Sequence, residues 1–322
     1  MKKHIGIIGG AGYTAGELIR LLLNHPHVSI RFVHSESQAG RPVTTVHDDL
    51  VGETDLTFTS EVDPEVDVLF FCMGHGKTKP FLAQHALPPE MRIIDLGSDY
   101  RIAGADHDFV YGLPELNREA IAQARHVANP GCFATAIQLG LLPLADAGLL
   151  SDEIHVHAIT GSTGAGQQPS PTTHFSWREG NLSIYKAFEH QHLAEIGQSL
   201  VQAQPGFDAP VRFLPLRGGF TRGIFASMYT RTSLSGDDLR RLYQYYYEPH
   251  PFTHVADANP HLKQVVQTNK CLVYPEQHGD TTLIVSLIDN LLKGASGQAV
   301  QNMNLMMGWD EWTGLWLKPG GF

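Results

Sequence analysis

HIGIIGGAGYTAGELIRLLLNHPHVSIRFVH, residues 4–34, decides the fold. Ile5 to Ile8 are a short apolar run suited to a buried parallel strand. A glycine-rich turn follows. ELIRLLLNH then carries apolar residues at helical spacing and stops before Pro26, and VSIRFVH (28–34) is a second apolar strand segment. Strand, glycine turn, helix and strand within about thirty residues is the setting in which a glycine cluster binds a dinucleotide. Small residues let the backbone approach a pyrophosphate, and the helix N-terminus offers it N–H groups. The candidate cofactor contacts are Gly9, Gly10, Ala11, Gly12, Tyr13, Thr14 and Ala15, with Gly9-x-x-Gly12-x-x-Ala15 as the working pattern rather than the commoner GxGxxG.

The end of the second strand bears on which cofactor binds. An acidic residue there holds the ribose hydroxyls of NAD. Here His34-Ser35-Glu36-Ser37 places two neutral donors, Ser35 and Ser37, with Arg41 close behind, which favours the 2′-phosphate of NADP. Glu36 argues the other way unless it faces solvent. Further strand-length apolar runs, VDVLFFCM (66–73) and MRIIDLG (91–97), extend the alternating pattern. Cys72 lies inside one of them and reads as a buried, inert thiol.

A second decisive stretch is HVANPGCFATAIQLGLLPLADAGLL, residues 126–150. HVAN is a short strand and Pro130-Gly131 a turn. From Cys132 onward Ala, Ile and Leu recur at helical spacing. Cys132 is thereby placed at a helix N-terminus, where unpaired N–H groups and the helix dipole favour a thiolate and can also hold an oxyanion.

The bulk numbers set the outer limits. The chain has 322 residues, enough for two medium domains, and an ordinary globular balance of 42% hydrophobic and 17% charged residues. The 23 basic and 33 acidic residues give a net charge of −10, which argues against nucleic acid or an anionic membrane as partner. An anionic substrate would have to be drawn by local Arg, Lys or helix N-termini. The three cysteines, Cys72, Cys132 and Cys271, show no CxxC spacing, so neither a disulfide framework nor a cysteine metal site is expected. No leader-like segment or membrane-length apolar run is seen, and the expected location is cytoplasmic.

NPGCFATA (129–136) resembles the active-site motif of N-acetyl-gamma-glutamyl-phosphate reductases, arginine-pathway relatives of aspartate-semialdehyde dehydrogenase. The resemblance extends to GYTAGELIRLL (12–22), IIDLGSDYR (93–101), YGLPELN (111–117) and KGASGQAVQNMNLMMG (293–308), and so covers nearly the whole chain. It implies an α/β fold: a doubly wound, Rossmann-type parallel sheet over 1–131 plus 293–322, and a mixed-sheet α+β catalytic and dimerisation domain over 132–292. It also implies a homo-oligomer, dimer or tetramer, and a small-molecule acyl phosphate substrate.

FEHQHLAEI (188–196) resembles the family's HxHxxEI motif. His192 and Glu195 share a helix face, so the carboxylate can tune the imidazole. By the resemblance His192 is the acid/base and His190 a substrate contact, although which of the two handles the proton stays open. TGSTGAGQQ (160–168) resembles the family's SGxSGAG loop, and its glycines and hydroxyls suit a backbone nest for an anion. Gln167 stands where the family carries a basic residue. The resemblance adds Gly164 and Asn290 as cofactor contacts, and Arg101, Asn129, Gly161, Ser162, Tyr185 and Arg222 as substrate contacts, with Arg217 near Arg222 in sequence. No metal site is expected.

The reaction so implied is the NADPH-dependent reduction of an N-acyl-gamma-glutamyl phosphate through a Cys132 thioester. The alternatives are a sister reductase of a succinylglutamyl, aminoadipyl or aspartyl phosphate, a cysteine hydrolase, and a non-catalytic dinucleotide sensor.

Overall fold

The computed structural model describes residues 2–321 and divides into two compact units. One runs up to Pro130 and takes in Ala295–Trp316. The other is Gly131–Gly294, with the tail from Leu317 to Gly321. The tail differs from the expectation that all of 293–322 would join the first unit.

The first unit is built on seven parallel strands: β1 (Lys3–Ile8), β2 (Val28–His34), β3 (Phe58–Thr59), β4 (Val68–Phe71), β5 (Arg92–Asp95), β6 (Val110–Tyr111) and β7 (His126–Ala128). Their order is β3-β2-β1-β4-β5-β7-β6, that of a doubly wound sheet. The central strands are apolar on both faces: Ile5, Ile7 and Ile8 in β1 and Val68 to Phe71 in β4 are all buried. The order in which strands are added to the sheet reverses between β1 and β4, which opens a crevice at their C-terminal ends. Gly9 begins there with φ +80°, and a Cβ on it would lie 2.9 Å from the backbone after β4.

Helix α1 (Tyr13–Leu23) starts three residues beyond Gly10, with Gly12 as its N-cap. Gly16 lies within it, and a Cβ there would meet the His47 ring at 2.6 Å. The same ring reaches the Gly10 carbonyl through Nε2 at 2.7 Å, so one histidine braces both ends of the glycine turn. Helices α2 (Thr78–Gln84) and α3 (Pro114–Gln123) fill later crossovers.

The second unit holds a mixed sheet of β8 (Ile154–Thr160), β9 (Ser183–Ile184), β10 (Val211–Arg217), β11 (Ile224–Arg231), β12 (Thr253–Val255), β13 (Cys271–His278) and β14 (Thr281–Ile288), in the order β12-β13-β14-β11-β8-β10-β9. Helix α4 (Cys132–Asp146) lies on this sheet, with α6 (His192–Ala203) and α7 (Gly236–Tyr247) beside it and the one-turn α5 (Phe175–Arg178) in the β8–β9 connection. Residues 133–145 of α4 are all buried, the pattern of a helix enclosed on every side. Pro143 removes one N–H from its ladder, and the Leu139 carbonyl four residues back loses its helical partner. The Tyr247 hydroxyl donates to that carbonyl, and Tyr243 donates to Gly140 O at 2.6 Å. The tyrosine run of α7 is thus helix packing, with Tyr245 left exposed. Ser235 caps α7 by accepting the Asp238 N–H at 3.2 Å.

The final helix α8 (Gly297–Met306) belongs to the first unit, packed against α1 and α3. Its Asn302 Nδ2 donates to Gly112 O and to Asn129 Oδ1, and Asn304 Oδ1 meets His25 Nε2.

Asp95 closes β5 fully buried. Its Oδ1 accepts from Thr78 Oγ1 and from the Gly97 N–H, both at 2.8 Å, and its Oδ2 has no partner. Burial pushes its pKa up to about 6. The folded value lies above the unfolded one, about 3.9, so the stabilising contribution is complete below that unfolded value and is lost as pH rises through about 6. Asp95→Asn is therefore expected to gain stability over wild type, on the order of 2 kcal/mol, between pH 4.5 and 7.5. Melting temperatures of both proteins across that range check it, and a pH-independent difference would refute it.

Candidate active site

Cys132 is the first residue of α4, with Gly131 as N-cap in extended conformation. The Gly131 carbonyl receives the Thr135 N–H at 2.8 Å and the Thr135 hydroxyl at 3.1 Å. Its own N–H donates to Glu195 Oε2 at 2.9 Å. Cys132 is partly exposed, whereas Cys72 and Cys271 are buried. Burial pushes the Cys72 thiol up to about 12, as befits the inert role expected for it. Gly294 comes so close to Cys132 that a Cβ on it would lie 2.8 Å from the cysteine Cβ. This glycine lies in the 293–308 stretch quoted above, but no role was expected of it.

Glu195 also faces His192, with Oε1 3.9 Å from Nε2. That is ion-pair range, longer than a hydrogen bond. His190 stands across from His192, ring centroids 4.5 Å apart, and its Nδ1 accepts the His192 backbone N–H at 3.2 Å. That bond places the proton of neutral His190 on Nε2, an assignment made from the hydrogen bond. Protonating Nδ1 would break it, so His190 is better suited to donate than to accept. Phe133 packs on both imidazoles, and Phe213 from β10 completes the apolar wall. Tyr185 lies 5.9 Å from His190. Burial first, and the nearby Cys132 charge second, push the Tyr185 hydroxyl up to about 12.

The loop after β8 does not form the expected backbone nest. Gly161 N–H goes to Gly223 O, Ser162 N–H to Phe220 O, and Thr163 N–H and Oγ1 both to Thr221 O. The 220–223 segment lies too near for those N–H groups to face a ligand. A Cβ on Gly161 would sit 2.4 Å from Thr221 O. Asn290 fastens the same knot: Oδ1 accepts the Gly223 N–H at 2.7 Å and Nδ2 donates to Thr163 Oγ1 at 3.0 Å, with Gly164 beside it. Gln167 follows at the exposed end of the loop.

The expected arginines are occupied. Arg222 makes two bonds to Asp289, Nε–Oδ2 3.0 Å and Nη2–Oδ1 3.1 Å. In the first unit, buried Arg101 donates to Asn129 O and Leu96 O. Asn129 holds the α8 segment through Ala295 O.

The cofactor residues in the first unit form a cradle. Gly12 caps α1 with no side-chain hydrogen bond, and a Cβ there would meet nothing within 4 Å. The first-turn N–H groups at Tyr13, Thr14 and Ala15 find no carbonyl within the helix. This open N-terminus, braced by His47, fits a pyrophosphate. Ser35 is buried at the end of β2, while Ser37 and Arg41 are exposed in the turn that follows, Arg41 bonded to Gln38. Glu36 points to solvent. Among the described residues no cluster of His, Cys, Asp or Glu is placed to hold a metal, and no helix is long and apolar enough to cross a membrane.

Residues 4–124 match the family model described as semialdehyde dehydrogenase, NAD binding domain, and residues 132–290 that described as semialdehyde dehydrogenase, dimerisation domain. The chain is 61% identical to the N-acetyl-gamma-glutamyl-phosphate reductase of Bacteroides fragilis (strain YCH46), over 98% of this chain and 99% of that protein. The chain belongs to the N-acetyl-gamma-glutamyl-phosphate reductase family. A member from Christiangramia forsetii is 55% identical over the same shares. Solved aspartate semialdehyde dehydrogenases share the fold. One from Candida albicans with NADP superposes at a TM-score of 0.76 and 16% identity, over 95% of this chain and 99% of that one. One from Vibrio cholerae complexed with ASA gives 0.73 and 18%, over 96% and 99%. The NAD binding domain model takes in the sheet and glycine turn of the first unit, and the dimerisation domain model takes in the mixed sheet of the second.

With its thiol partly exposed at a helix start, Cys132 should be the one cysteine that iodoacetamide labels in the native protein at neutral pH. Peptide mass spectrometry checks this. Labelling of Cys72 or Cys271 at an equal rate would contradict the burial described above.

Proposed function

We propose that the protein reduces N-acyl-gamma-glutamyl phosphate to the semialdehyde and phosphate, with Cys132 as nucleophile and NADPH as reductant. The observation that supports this most is the bond between Gly131 and Glu195, which joins the N-cap before the Cys132 thiol to the carboxylate that faces His192. A free carboxylate resists hydride addition, and phosphorylation makes its carbonyl electrophilic. The Cys132 thiolate adds to that carbonyl, the C–O bond to phosphate breaks, and a thioester remains on Cys132. The cofactor, when bound, supplies the hydride that reduces the thioester carbonyl. The resulting thiohemiacetal on Cys132 collapses, breaking the C–S bond, and the aldehyde leaves with the thiolate regenerated. N–H groups at the start of α4 hold both oxyanions. His192, facing Glu195, takes and returns the thiol proton, and His190 donates from Nε2 to the substrate oxygen.

NADP is preferred over NAD in this reading because Ser37 and Arg41 are exposed at the end of β2 and Glu36 points away. The acyl group is acetyl, as in the relatives' names, with succinyl a second reading prompted by Gln167. The enzyme is a cytoplasmic homo-oligomer. Its self-association surface is the sheet face opposite α4, where Phe225, Leu272, Tyr274 and Leu283 lie partly exposed around Val285 and Leu287.

The reverse assay tests the whole reading. Semialdehyde, phosphate and NADP should give NADPH, with kcat/KM lower when NAD replaces NADP. Turnover that does not require phosphate would point to a different reaction.

In the same assay His192→Ala should lower kcat on the order of 10²–10⁴-fold. His190→Ala should have a smaller effect on kcat, and the opposite ranking would reverse the two roles.

A further inference from the structure

Arg217 is the last residue of β10. Its register partners are Thr160 in β8 and Ser183 in β9, so the three share one face of the sheet. Phe213 and Pro215 alternate onto that face, and Phe213 touches Phe133 next to the nucleophile. The Arg217 guanidinium lies 4.6 Å from the centre of the Tyr185 ring. Its Nε is buried without a hydrogen-bond partner. No carboxylate among the described residues pairs with Arg217, although neighbouring arginines are matched: Arg222 with Asp289 and Arg212 with Glu153. Arg178, also buried, meets Thr172 O, Ser183 Oγ and the Arg217 carbonyl, so it brings no negative charge. Burial and the Arg217 charge hold its guanidinium below its ordinary pKa. Beside Arg217 in register, Thr160 is 1% exposed and its hydroxyl lacks a partner.

Two guanidinium groups kept together with no counter-charge, next to an unsatisfied hydroxyl, are unfavourable until an anion arrives. The aromatic ring and its hydroxyl hold the guanidinium without cancelling its charge, and the unpartnered Nε remains available to an anion. From Tyr185 the path to the reacting centre is short, through His190 to His192.

We propose that Arg217, laid on Tyr185, holds an anionic group of the substrate, its carboxylate or its phosphate, and so fixes the reacting carbonyl at Cys132. This rests on the reductase reading above. Arg222 then acts through Asp289 on the loop framework, and Arg217 is the specificity-determining cation of this unit.

The test is steady-state kinetics of the reverse reaction for wild type, Arg217→Lys, Arg217→Gln and the control Arg212→Gln on the same strand, varying semialdehyde, phosphate and NADP in turn. Losing a charge-assisted, two-point contact should raise KM for one anion on the order of 10–100-fold in Arg217→Gln. The KM for NADP should stay put, and Arg217→Lys should recover part of the loss. A rise confined to the semialdehyde assigns the carboxylate, and one confined to phosphate assigns the phosphoryl group. A second readout, protection of Cys132 from iodoacetamide by each compound, should weaken in parallel without any turnover. Unchanged KM values, a fall in kcat alone, or an equal effect in Arg212→Gln would overturn the assignment. If wild type itself fails to turn over the semialdehyde, the reductase reading falls and this assignment with it. An active wild type with unaltered Arg217 variants removes the assignment only.

Discussion

The Gly131 N–H bonded to Glu195 is the constraint on which the thiol-bearing unit depends. The N-cap of α4 sets where Cys132 stands, and Glu195 sits in the first turn of α6, which carries His192. One carboxylate therefore joins the helix that starts at Cys132 to the helix that starts at His192, over 64 residues of sequence. A hydrogen bond to a charged acceptor contributes about 1.5–3 kcal/mol, enough to hold a geometry that loop packing alone would leave loose. Because Oε2 is bonded to the backbone, Oε1 is the oxygen left facing His192. That division explains the 3.9 Å gap: one Glu195 oxygen is held by the turn, and the other faces His192 from beyond hydrogen-bond range.

Asp289 plays the matching part at the end of β14. Fully buried, it gathers the Arg222 fork and the N–H groups of Gln267, Leu291 and Leu292. Its neighbour Asn290 ties Gly223 to the loop after β8. Together they turn 160–166 and 220–223 into one rigid corner. An arginine that reads as a ligand fork in sequence is, in the fold, half of a buried ion pair. Removing either partner would strand a buried charge at a cost of about 3–5 kcal/mol, which is a structural reason for both to be present.

Much of this was legible in advance. Continuous apolar runs marked β1, β4 and β5, because strands covered on both faces need no alternation. Cys132 was placed at a helix start by Pro130-Gly131 and by the apolar residues behind it. His47, Gly294 and Asp289 were not legible, because each acts through contacts between residues far apart in sequence. His47 sits in a loop with no periodic signal, yet it is the brace of the glycine turn and the reason residue 16 is glycine. The anion nest was misread for a related reason. A run of Gly, Ser and Thr advertises N–H groups, but whether they face a ligand depends on which distant segment takes them, here 220–223.

The same logic governs the charges. A chain of net charge −10 repels an anionic substrate at long range, so attraction must be local and must survive competition from the protein's own carboxylates. Which arginine survives is decided by three-dimensional pairing. Arg222 is neutralised by a residue 67 positions away, and the donors of Arg101 are taken up by the backbone carbonyls of Asn129 and Leu96. Arg217 escapes because its strand ends where the neighbouring strands offer only hydroxyls and an aromatic ring. A ring attracts a guanidinium without cancelling its charge, whereas a carboxylate in that position would silence it. Tyr185 thus orders the cation and leaves its field intact, which is the condition under which an arginine in an acidic protein still attracts an anion.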